Sequence, residues 1–500
     1  MKKIQLFVSL AALLAVACAP QSPSEKAWAE VYPAIEAKIV APTFPDATFD
    51  IRDYGAKEGV ANHDAINAAI KACNEAGGGH VIVPVGTWLT GAITLLSNVD
   101  LHIEEGATLL FSDNLDHYPL VRTRWEGMDC INYSPMIYAF QQENIAVTGL
   151  GTLDGGASLQ NWWSMVWNID TDWEKERRNS QRYGRPLLQV WMDECKPIEE
   201  RVMGHGYGMR PQLVSPFECK NILVEGVTMI RSPFWNLHPV FCENITVRDV
   251  KFNNDGPNGD GCDPESCNYV LIENCYFNTG DDCIAIKSGR DGDARAFDVP
   301  SQNMIVRNCE MKNGHGGVVV GSEIGSGYKN LFVENCVMDS PELDRAIRIK
   351  TNARRGGVIE HIYVRNVTVG QCKEAVLKIN LIYDQKSVGD ADFYPIVQDV
   401  YLENVTSQKS RYGVCVTALD NVNNIHNIYV KDCEFNNLKQ EESISGLCDP
   451  INYDNVTMNL ATEEAPAAEY PVHRHKKSPD RSVGDFLLVI HSTYRIRLTG

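Results

Sequence analysis

The chain has 500 residues, of which 44% are hydrophobic and 22% charged, the ordinary balance of a soluble globular protein. Its formal net charge of −19 argues against a nucleic-acid partner, because nucleic-acid-binding proteins present basic surfaces to the phosphates. The 16 cysteines lack the paired spacings of zinc ligands, so a zinc domain is excluded as well.

The first residues are typical of an export signal. Lys2 and Lys3 precede an apolar run that is too short to span a membrane comfortably, and Ala-Val-Ala precedes Cys18. This resembles a bacterial lipoprotein signal, in which the cysteine is lipidated after cleavage; an ordinary secretory signal is the alternative. We therefore predict a signal peptide over 1–17, a lipid anchor on Cys18 and a tether over 18–45. The protein is expected to be exported, either periplasmic or anchored to the outer membrane of a bacterium, with no other membrane contact.

A short amphipathic helix is predicted within "NHDAINAAIKACNEAGGG". Asn62 or His63 is placed to begin it and Gly77 to end it. Its apolar stripe comprises Ile66, Ala69, Ile70 and Cys73. Such a helix would cover the open end of a stack of strands and hide its unpaired edge.

A strand phrase recurs through the middle and end of the chain, with apolar and polar residues in alternation. Clear copies begin at Glu143, Lys220, Glu243, Cys267, Gln302 and Lys329. The asparagines Asn221, Asn244 and Asn268 of these copies lie 23 and 24 residues apart. One strand phrase per repeat of this length indicates a solenoid. We therefore predict an all-β fold, a single-domain right-handed parallel β-helix with an N-terminal capping helix. A propeller or sandwich would need regular hairpin turns, which the sequence lacks.

The predicted catalytic domain spans 46–460. Within it, residues 155–210 are irregular and rich in tryptophan, which indicates either a wall for sugar stacking or a loop packed on the solenoid. Cys275, Cys309 and Cys336 each follow an asparagine in the strand phrase, so we interpret them as stacked core thiols rather than disulfides. Residues 461–500 form a tail of unknown role.

Charged residues recur at intervals that match single coils. Asp260 lies 21 residues before Asp281, and His315 lies 33 residues after Asp282. Equivalent positions on successive coils stack about 4.8 Å apart, so we expect these side chains to share one face of the solenoid. Adjacent carboxylates such as Asp281 and Asp282 repel each other and resist burial, which favours a functional site.

Arg348 and Lys350 complete the set. Arg348 lies 33 residues after His315, and the two cations alternate with Ile349. One carboxylic acid of the group can protonate a glycosidic oxygen while another activates water. Crowding of the carboxylates raises the pKa of one of them and keeps it protonated. The two cations are suited to bind the carboxylate of a uronic acid. The constellation predicts hydrolysis of an acidic glycoside.

Four motifs occur in the order seen in the polygalacturonase family, glycoside hydrolase family 28, which this chain resembles from "FDIRDYGA" to "YVKDCEF". They are Asp260-Gly261, Gly280-Asp281-Asp282, Gly314-His315-Gly316 and Arg348-Ile349-Lys350. The first departs slightly, because Gly259 stands where the family usually has threonine or serine. Since the aspartate is kept, we expect activity to be kept.

The resemblance implies a role for each of these residues. Asp281 would be the general acid, Asp260 and Asp282 would activate water, and His315 would support the acid. Arg348 and Lys350 would bind the galacturonate carboxylate. It also implies inversion at the anomeric carbon and no metal or other cofactor. The spacing of adjacent coils, near 5 Å, by itself favours retention.

Further candidates lie beside this set. His238, one coil before Asp260, and Lys287 are predicted to contact substrate, with a structural histidine and a solvated lysine as the alternatives. His205 sits in a second Gly-His-Gly outside the repeat and is not favoured as catalytic. The loops from Gly289 to Ser301 and within 155–210 are expected to close one end of the groove.

We therefore predict a monomeric exo-acting hydrolase of the α-1,4-galacturonosidic bonds of polygalacturonate, with a pectic polysaccharide or oligogalacturonide as its partner. A rhamnogalacturonan hydrolase is the nearest alternative. A pectate lyase would need calcium-binding carboxylates and a basic residue that removes a proton. A non-catalytic glycan-binding solenoid would not need the three aspartates.

Overall fold

Successive coils of the chain contribute short parallel strands that pair in register with the coils before and after them. The computed structural model describes residues 21–167, 180–384 and 392–462. In these residues, 13 strands form one parallel sheet and 16 form a second, folded sheet. The predicted right-handed parallel β-helix is confirmed.

The 13-stranded sheet is named face one and carries the repeated asparagine phrase. Its strands are Thr48–Asp50, Gly79–Val83, Val99–Ile103, Glu143–Gly149, Lys220–Glu225, Glu243–Arg248, Asn268–Glu273, Ser301–Arg307, Tyr328–Glu334, Val358–Arg365, Ile396–Glu403, Ile425–Lys431 and Asn452–Asp454.

The second sheet folds into two rows, face two and face three, which are joined by the long strand Thr406–Thr417. Face two comprises Gly86–Thr90, Ala107–Phe111, Thr152–Asp154, Thr228–Ile230, Lys251–Asn254, Tyr276–Thr279, Glu310–Met311, Val337–Met338 and Thr368–Gln371. Face three comprises Ile284–Ile286, Val318–Val320, Arg345–Lys350 and Ala375–Asn380. Glu434–Ser445 and Thr457–Leu460 follow the joining strand, and Ile93–Thr94, Ile137–Phe140 and Val214–Phe217 form a short sheet at the start of face three.

The asparagines of the phrase form a ladder between coils. Asn221 donates from its side-chain amide to the Asn144 side chain at 2.9 Å, and Asn244 donates to Asn221 at 2.8 Å. All three have positive φ, a conformation that asparagine tolerates better than most residues. The phrase therefore both bends the chain and hydrogen-bonds each coil to the next.

The predicted capping helix spans His63–Glu75, and Asn62 precedes it. Its buried residues are the predicted stripe of Ile66, Ala69, Ile70 and Cys73. The helix packs on the first strands of the solenoid, at the end where strand edges would otherwise be exposed.

The other helices lie in the loops and at the N-terminus. The α-helices are Pro23–Lys26, Tyr32–Glu36, Ser164–Trp167, Gln181–Asp193 and Asp291–Phe297, with a π-helical stretch at Ala27–Val31. Short 3₁₀ turns span Ile51–Tyr54, Leu115–His117 and Ile198–Glu200. The strands Leu120–Trp125 and Met128–Tyr133 form an antiparallel hairpin. No helix in the described ranges is both long and apolar enough to cross a bilayer.

Residues 23–36, which fall within the predicted tether 18–45, are helical. They cover an apolar patch on the outside of face one through Trp28, Tyr32 and Ile35. Phe332 lies in this patch, with its ring centroid 4.9 Å from that of Trp28. The sequence shows only a short mixed segment, and the apolar surface that orders it comes from coils some 300 residues away. Cys18, the signal peptide and most of the tail lie outside the described residues.

The cysteine prediction is confirmed for Cys275, Cys309 and Cys336, which are buried and free. They lie in the core beside the valines and isoleucines of successive coils. Burial raises the pKa of Cys309 well above its ordinary value, which keeps it a thiol.

Candidate active site

The predicted site residues meet on face three, where alternation along each strand decides which side chains point outward. Val318 pairs with Ile347, and both are buried in the core, so Arg348 points outward into the groove. Asp281 and Asp282 directly precede the strand Ile284–Ile286.

Asp260, Asp281 and Asp282 form the centre of the site. Each offers a carboxylate oxygen, and these oxygens all lie within 4.8 Å of one another. Asp260 and Asp282 are nearly inaccessible, whereas the Asp281 side chain is 20% exposed. Asp281 is therefore the carboxyl of the three that a bound ligand reaches most readily.

His315 lies directly against Asp281, with its Nδ1 at 2.9 Å from Oδ1 of the carboxylate. The negative charge of Asp281 raises the pKa of the imidazole. Burial alone would raise the pKa of Asp281, but His315 and the more distant Lys350 outweigh it and hold that pKa below its usual range. In the free protein the proton of this pair rests on the histidine.

The approach of His315 to Asp281 depends on Gly314. A Cβ at Gly314 would lie 2.8 Å from the backbone oxygen of Asp281, and its φ of +152° is rare for other residues. The backbone N–H of His315 donates to that same oxygen at 3.1 Å. The glycine therefore brings the two turns together.

Asp282 is bound by both predicted cations. Lys350 Nζ donates to one of its oxygens at 2.6 Å, and Arg348 lies 3.4 Å from the other. Burial alone would lower the pKa of Lys350, but the charge of Asp282 raises it, so the ammonium stays protonated. Both cations lie beside the ring of Tyr383, at 5.3 and 5.1 Å from its centroid.

The carboxyl with a raised pKa, predicted from crowding, is Asp260 rather than the proposed acid Asp281. Burial raises the pKa of Asp260 most, and the charges of Asp281 and Asp263 raise it further. Asp260 Oδ1 has no hydrogen-bond partner among the described residues. Proximity alone did not say which carboxyl would hold the proton.

Asp263 is a fourth acid of the site that sequence analysis missed. It is fully buried, and neither of its oxygens has a hydrogen-bond partner in the described structure, although Lys287 Nζ lies 4.0 Å from Oδ1. Burial raises its pKa well above the ordinary value, although Lys287 opposes this. The signal was available, because Asp263 follows the inward-facing Cys262 and so must point outward on face three.

His238 and Lys287 point toward the groove but do not reach its surface. His238 is fully buried and hydrogen-bonds Glu265 at 2.8 Å, so its ring is not exposed to a ligand in this structure, and the predicted substrate contact stays a prediction. Lys287 is 2% exposed and lies 3.5 Å from Glu323, which places it beneath the groove rather than in it. One reason for this burial is the hairpin of residues 120–133, whose Arg124 forms an ion pair with Glu265 at 3.1 Å.

The hairpin and two helices bond to one another beside the groove. Glu126 at the tip of the hairpin bonds Arg290 at 3.1 Å, directly before the helix Asp291–Phe297. Gln189 of the helix Gln181–Asp193 reaches Asp291 at 3.2 Å. The loops predicted to wall off the groove do meet here, and the hairpin is an additional part that the sequence did not reveal.

Other candidates lie elsewhere. His205 is exposed in the irregular segment, away from face three. A surface cavity of about 810 Å³ lies on face one, lined by His80, Asp100 and His102 among others. Its described lining contains no lysine or arginine, so it is not suited to an acidic sugar.

The spacing of the three aspartates would also suit a cation. Lys350 already places a positive charge on Asp282 at 2.6 Å. The metal-free mechanism therefore stays a prediction, to be tested with a chelator.

Comparison with known proteins adds to this geometry. A model of glycosyl hydrolases family 28 matches residues 205–443. The solved exopolygalacturonase of Thermotoga maritima is 37% identical, covers 86% of this chain and 96% of its own, and superposes with a TM-score of 0.80. An exo-poly-α-D-galacturonosidase of Dickeya chrysanthemi is 27% identical over 83% of this chain and 72% of its own length. A probable polygalacturonase of Vitis vinifera is 29% identical over 71% of this chain and 67% of its own length.

Fold and site together define a glycoside hydrolase built on a parallel β-helix. The chain belongs to glycosyl hydrolase family 28, as the identity to the Thermotoga protein over nearly its whole length shows.

Proposed function

We propose that this protein hydrolyses the α-1,4-galacturonosidic bonds of polygalacturonate from a chain end and releases galacturonate. The observation that carries the proposal is the meeting of three carboxylates with Arg348 and Lys350 on one face of the solenoid. The carboxylates suit cleavage of a glycoside, and the cations suit a substrate that carries a carboxylate on each sugar.

The acid of the reaction is the pair of Asp281 and His315. In the free protein the proton rests on the imidazole, 2.9 Å from the carboxylate. When a sugar excludes water, the ion pair loses solvation and the proton moves along the hydrogen bond to Asp281. Asp281, the more exposed of the three carboxyls, then donates it to the glycosidic oxygen.

The water is activated by Asp282 and Asp260. Asp282 is held in place by Lys350 and Arg348. Asp260 has to lose its proton before it can assist. Its ionisation is costly, because Asp260 is buried and its Oδ1 has no hydrogen-bond partner in the described structure. We propose inversion at the anomeric carbon, and proton NMR of the first-formed product distinguishes it from retention.

Exo action is supported by the loops that meet beside the groove. Glu126 of the hairpin bonds Arg290, and Gln189 of the helix Gln181–Asp193 reaches Asp291. We propose that these elements stop a long chain from continuing past the site, so that the bond beside its end is the one presented to Asp281. The exo-acting relatives in Thermotoga maritima and Dickeya chrysanthemi support this reading.

The test is incubation with polygalacturonate in chelator, with products followed by chromatography and ultraviolet absorbance. Saturated galacturonate from the outset is the expected result. Asp281→Asn should lower the rate by a factor of about 10² or more. Asp298→Asn is the matched control, because Asp298 ends a helix in the left-handed conformation that asparagine tolerates.

Other products would change the assignment. A ladder of saturated oligomers would make the enzyme endo-acting, and unsaturated products that need calcium would indicate a lyase. Cleavage of rhamnogalacturonan alone would move the substrate to that polymer. Binding of polygalacturonate without turnover would indicate a glycan-binding solenoid.

We also propose that the protein is exported and held to a membrane by a lipid on Cys18. The support is the basic start, the short apolar run and the small residues before this cysteine. Metabolic labelling with palmitate, compared between the wild type and Cys18→Ser, tests the proposal. Equal labelling of both proteins would contradict it.

A further inference from the structure

Arg210 is a buried cation for which the described structure offers no carboxylate partner. Its side chain is completely inaccessible, and no acid in the described residues lies within ion-pair distance of it. Burial lowers its pKa to about 9, so it is still charged at neutral pH. An unpaired charge in the interior is costly, which raises the question of what it does.

All five donors of the guanidinium are used, and every acceptor is neutral. Nε and one terminal nitrogen donate to Oε1 of Gln181, at 3.1 and 2.7 Å. That same terminal nitrogen donates to Oδ1 of Asn258 at 2.7 Å. The other donates to the backbone oxygens of Pro257, at 2.9 Å, and of Pro233.

Two of these acceptors belong to the turn that carries Asp260. Asn258 has a positive φ of 53° and lies two residues before that aspartate. The Pro233 contact holds the preceding coil, where the backbone N–H of Asn236 donates to the backbone oxygen of Asp260 at 2.9 Å. Arg210 therefore binds the catalytic turn and the strand beneath it at once.

The turn needs this support because Gly259 supplies no side chain of its own. A Cβ at Gly259 would lie 2.7 Å from the backbone oxygens of both Asn254 and Gly256, so a larger residue does not fit. In this chain the anchor comes from outside the turn.

We propose that Arg210 is a positioning residue of the active site, whose guanidinium fixes the Pro257–Asn258 turn and thereby aims the Asp260 carboxyl. The proposal rests on the proposed hydrolase function for its kinetic consequence. Arg210 touches no reacting atom. It acts through the turn. The planar guanidinium presents five donors that reach all of these acceptors, whereas the ammonium of a lysine has only three donors on one atom.

The experiment compares Arg210→Lys and Arg210→Ala with the wild type on polygalacturonate. Misplacement of a catalytic group by about 1 Å costs about 10²-fold, so we expect kcat to fall by about 10- to 100-fold in both variants. KM should change by less than about threefold, because Arg348 and Lys350 still bind the substrate. Guanidinium ion at millimolar concentration should restore part of kcat in Arg210→Ala but none in Asp260→Asn.

Arg365→Ala is the control, because it also removes a guanidinium, on face one, where Arg365 pairs with Glu334 at 2.7 Å. A kcat within about threefold of wild type in folded Arg210→Lys would overturn the proposal, as would an equal loss in the control. If Arg210→Ala does not fold, Arg210→Lys carries the kinetic test.

A crystal structure of Arg210→Lys tests the positioning without any substrate. A displaced Asp260 carboxyl supports the proposal, and an unmoved one overturns it. If the wild type itself does not cleave polygalacturonate, the proposed function fails, and this structural comparison still decides the role of Arg210.

Discussion

Replacing Asp260 by asparagine should remove activity and at the same time stabilise the fold. Asparagine has nearly the shape of aspartate but carries no charge. Asp260 is 3% exposed, its Oδ1 has no partner in the described structure, and Asp281 and Asp263 lie close by. Ionising it inside the protein is therefore unfavourable, and the variant avoids that cost.

The magnitude follows from linkage between protonation and folding. Burial and the neighbouring acids raise the pKa of Asp260 well above 3.8, so the folded state holds the proton more tightly than the unfolded chain. Between the pKa of Asp260 in the unfolded chain and its higher pKa in the folded protein, the stability of the wild type falls as pH rises, by about 1.4 kcal/mol per pH unit for one group. Asp260→Asn lacks this slope. The difference in favour of the variant should grow from about pH 4 and become constant once Asp260 has ionised.

The assay is denaturant or thermal unfolding of both proteins across pH 4 to 8. Asp255→Asn is the matched control, because Asp255 lies on the same turn and is exposed, and its substitution should leave the pH dependence unchanged. A constant difference between Asp260→Asn and wild type over the whole range would refute the reasoning. So would a less stable variant at neutral pH, because it would mean that the carboxylate is stabilised in the fold.

Two further predictions concern His315 and the N-terminal helices. Because Asp281 raises the pKa of His315, the imidazolium persists above pH 6.5 and is lost as pH rises further, so activity should decline only beyond that point. His315→Gln should lower kcat by about 10²-fold and remove this alkaline limb of the pH profile, and an unchanged limb would show that another group controls it. Tyr32 donates to Glu334 at 2.8 Å in a buried contact, so Tyr32→Phe should lower the free energy of unfolding, measured by urea denaturation, by about 1–3 kcal/mol. No change would mean that residues 23–36 do not pack on face one in solution.

Much of the architecture could be read from local periodicity. The asparagine phrase predicted the coils because each copy has to pair with the next at a constant strand spacing, and the structure pairs Glu143 with Lys220 and Lys220 with Glu243. The capping helix was predicted from its apolar stripe. The same alternation placed Arg348 and Lys350 on the outside of one face, where both contact Asp282.

Burial and proton positions were beyond the reach of the sequence, because they depend on segments that are distant in the chain. His238 points toward the groove as its register requires, but it is fully buried against Glu265 and the ring of Trp235. The same crowding that predicted one carboxyl with a raised pKa did not choose between Asp260 and Asp281; His315, from a later coil, decided that by pairing with Asp281.

The sequence by itself determined the repeat, the face on which the aspartates stack and the cations beside them, since each follows from residue type and spacing along one strand path. Only the tertiary structure decided which aspartate holds the proton, which loops meet beside the groove, and that Arg210 binds the turn of Asp260. The physical reason is that desolvation and Coulomb interactions are set by distances in space, and these join residues from separate coils and loops.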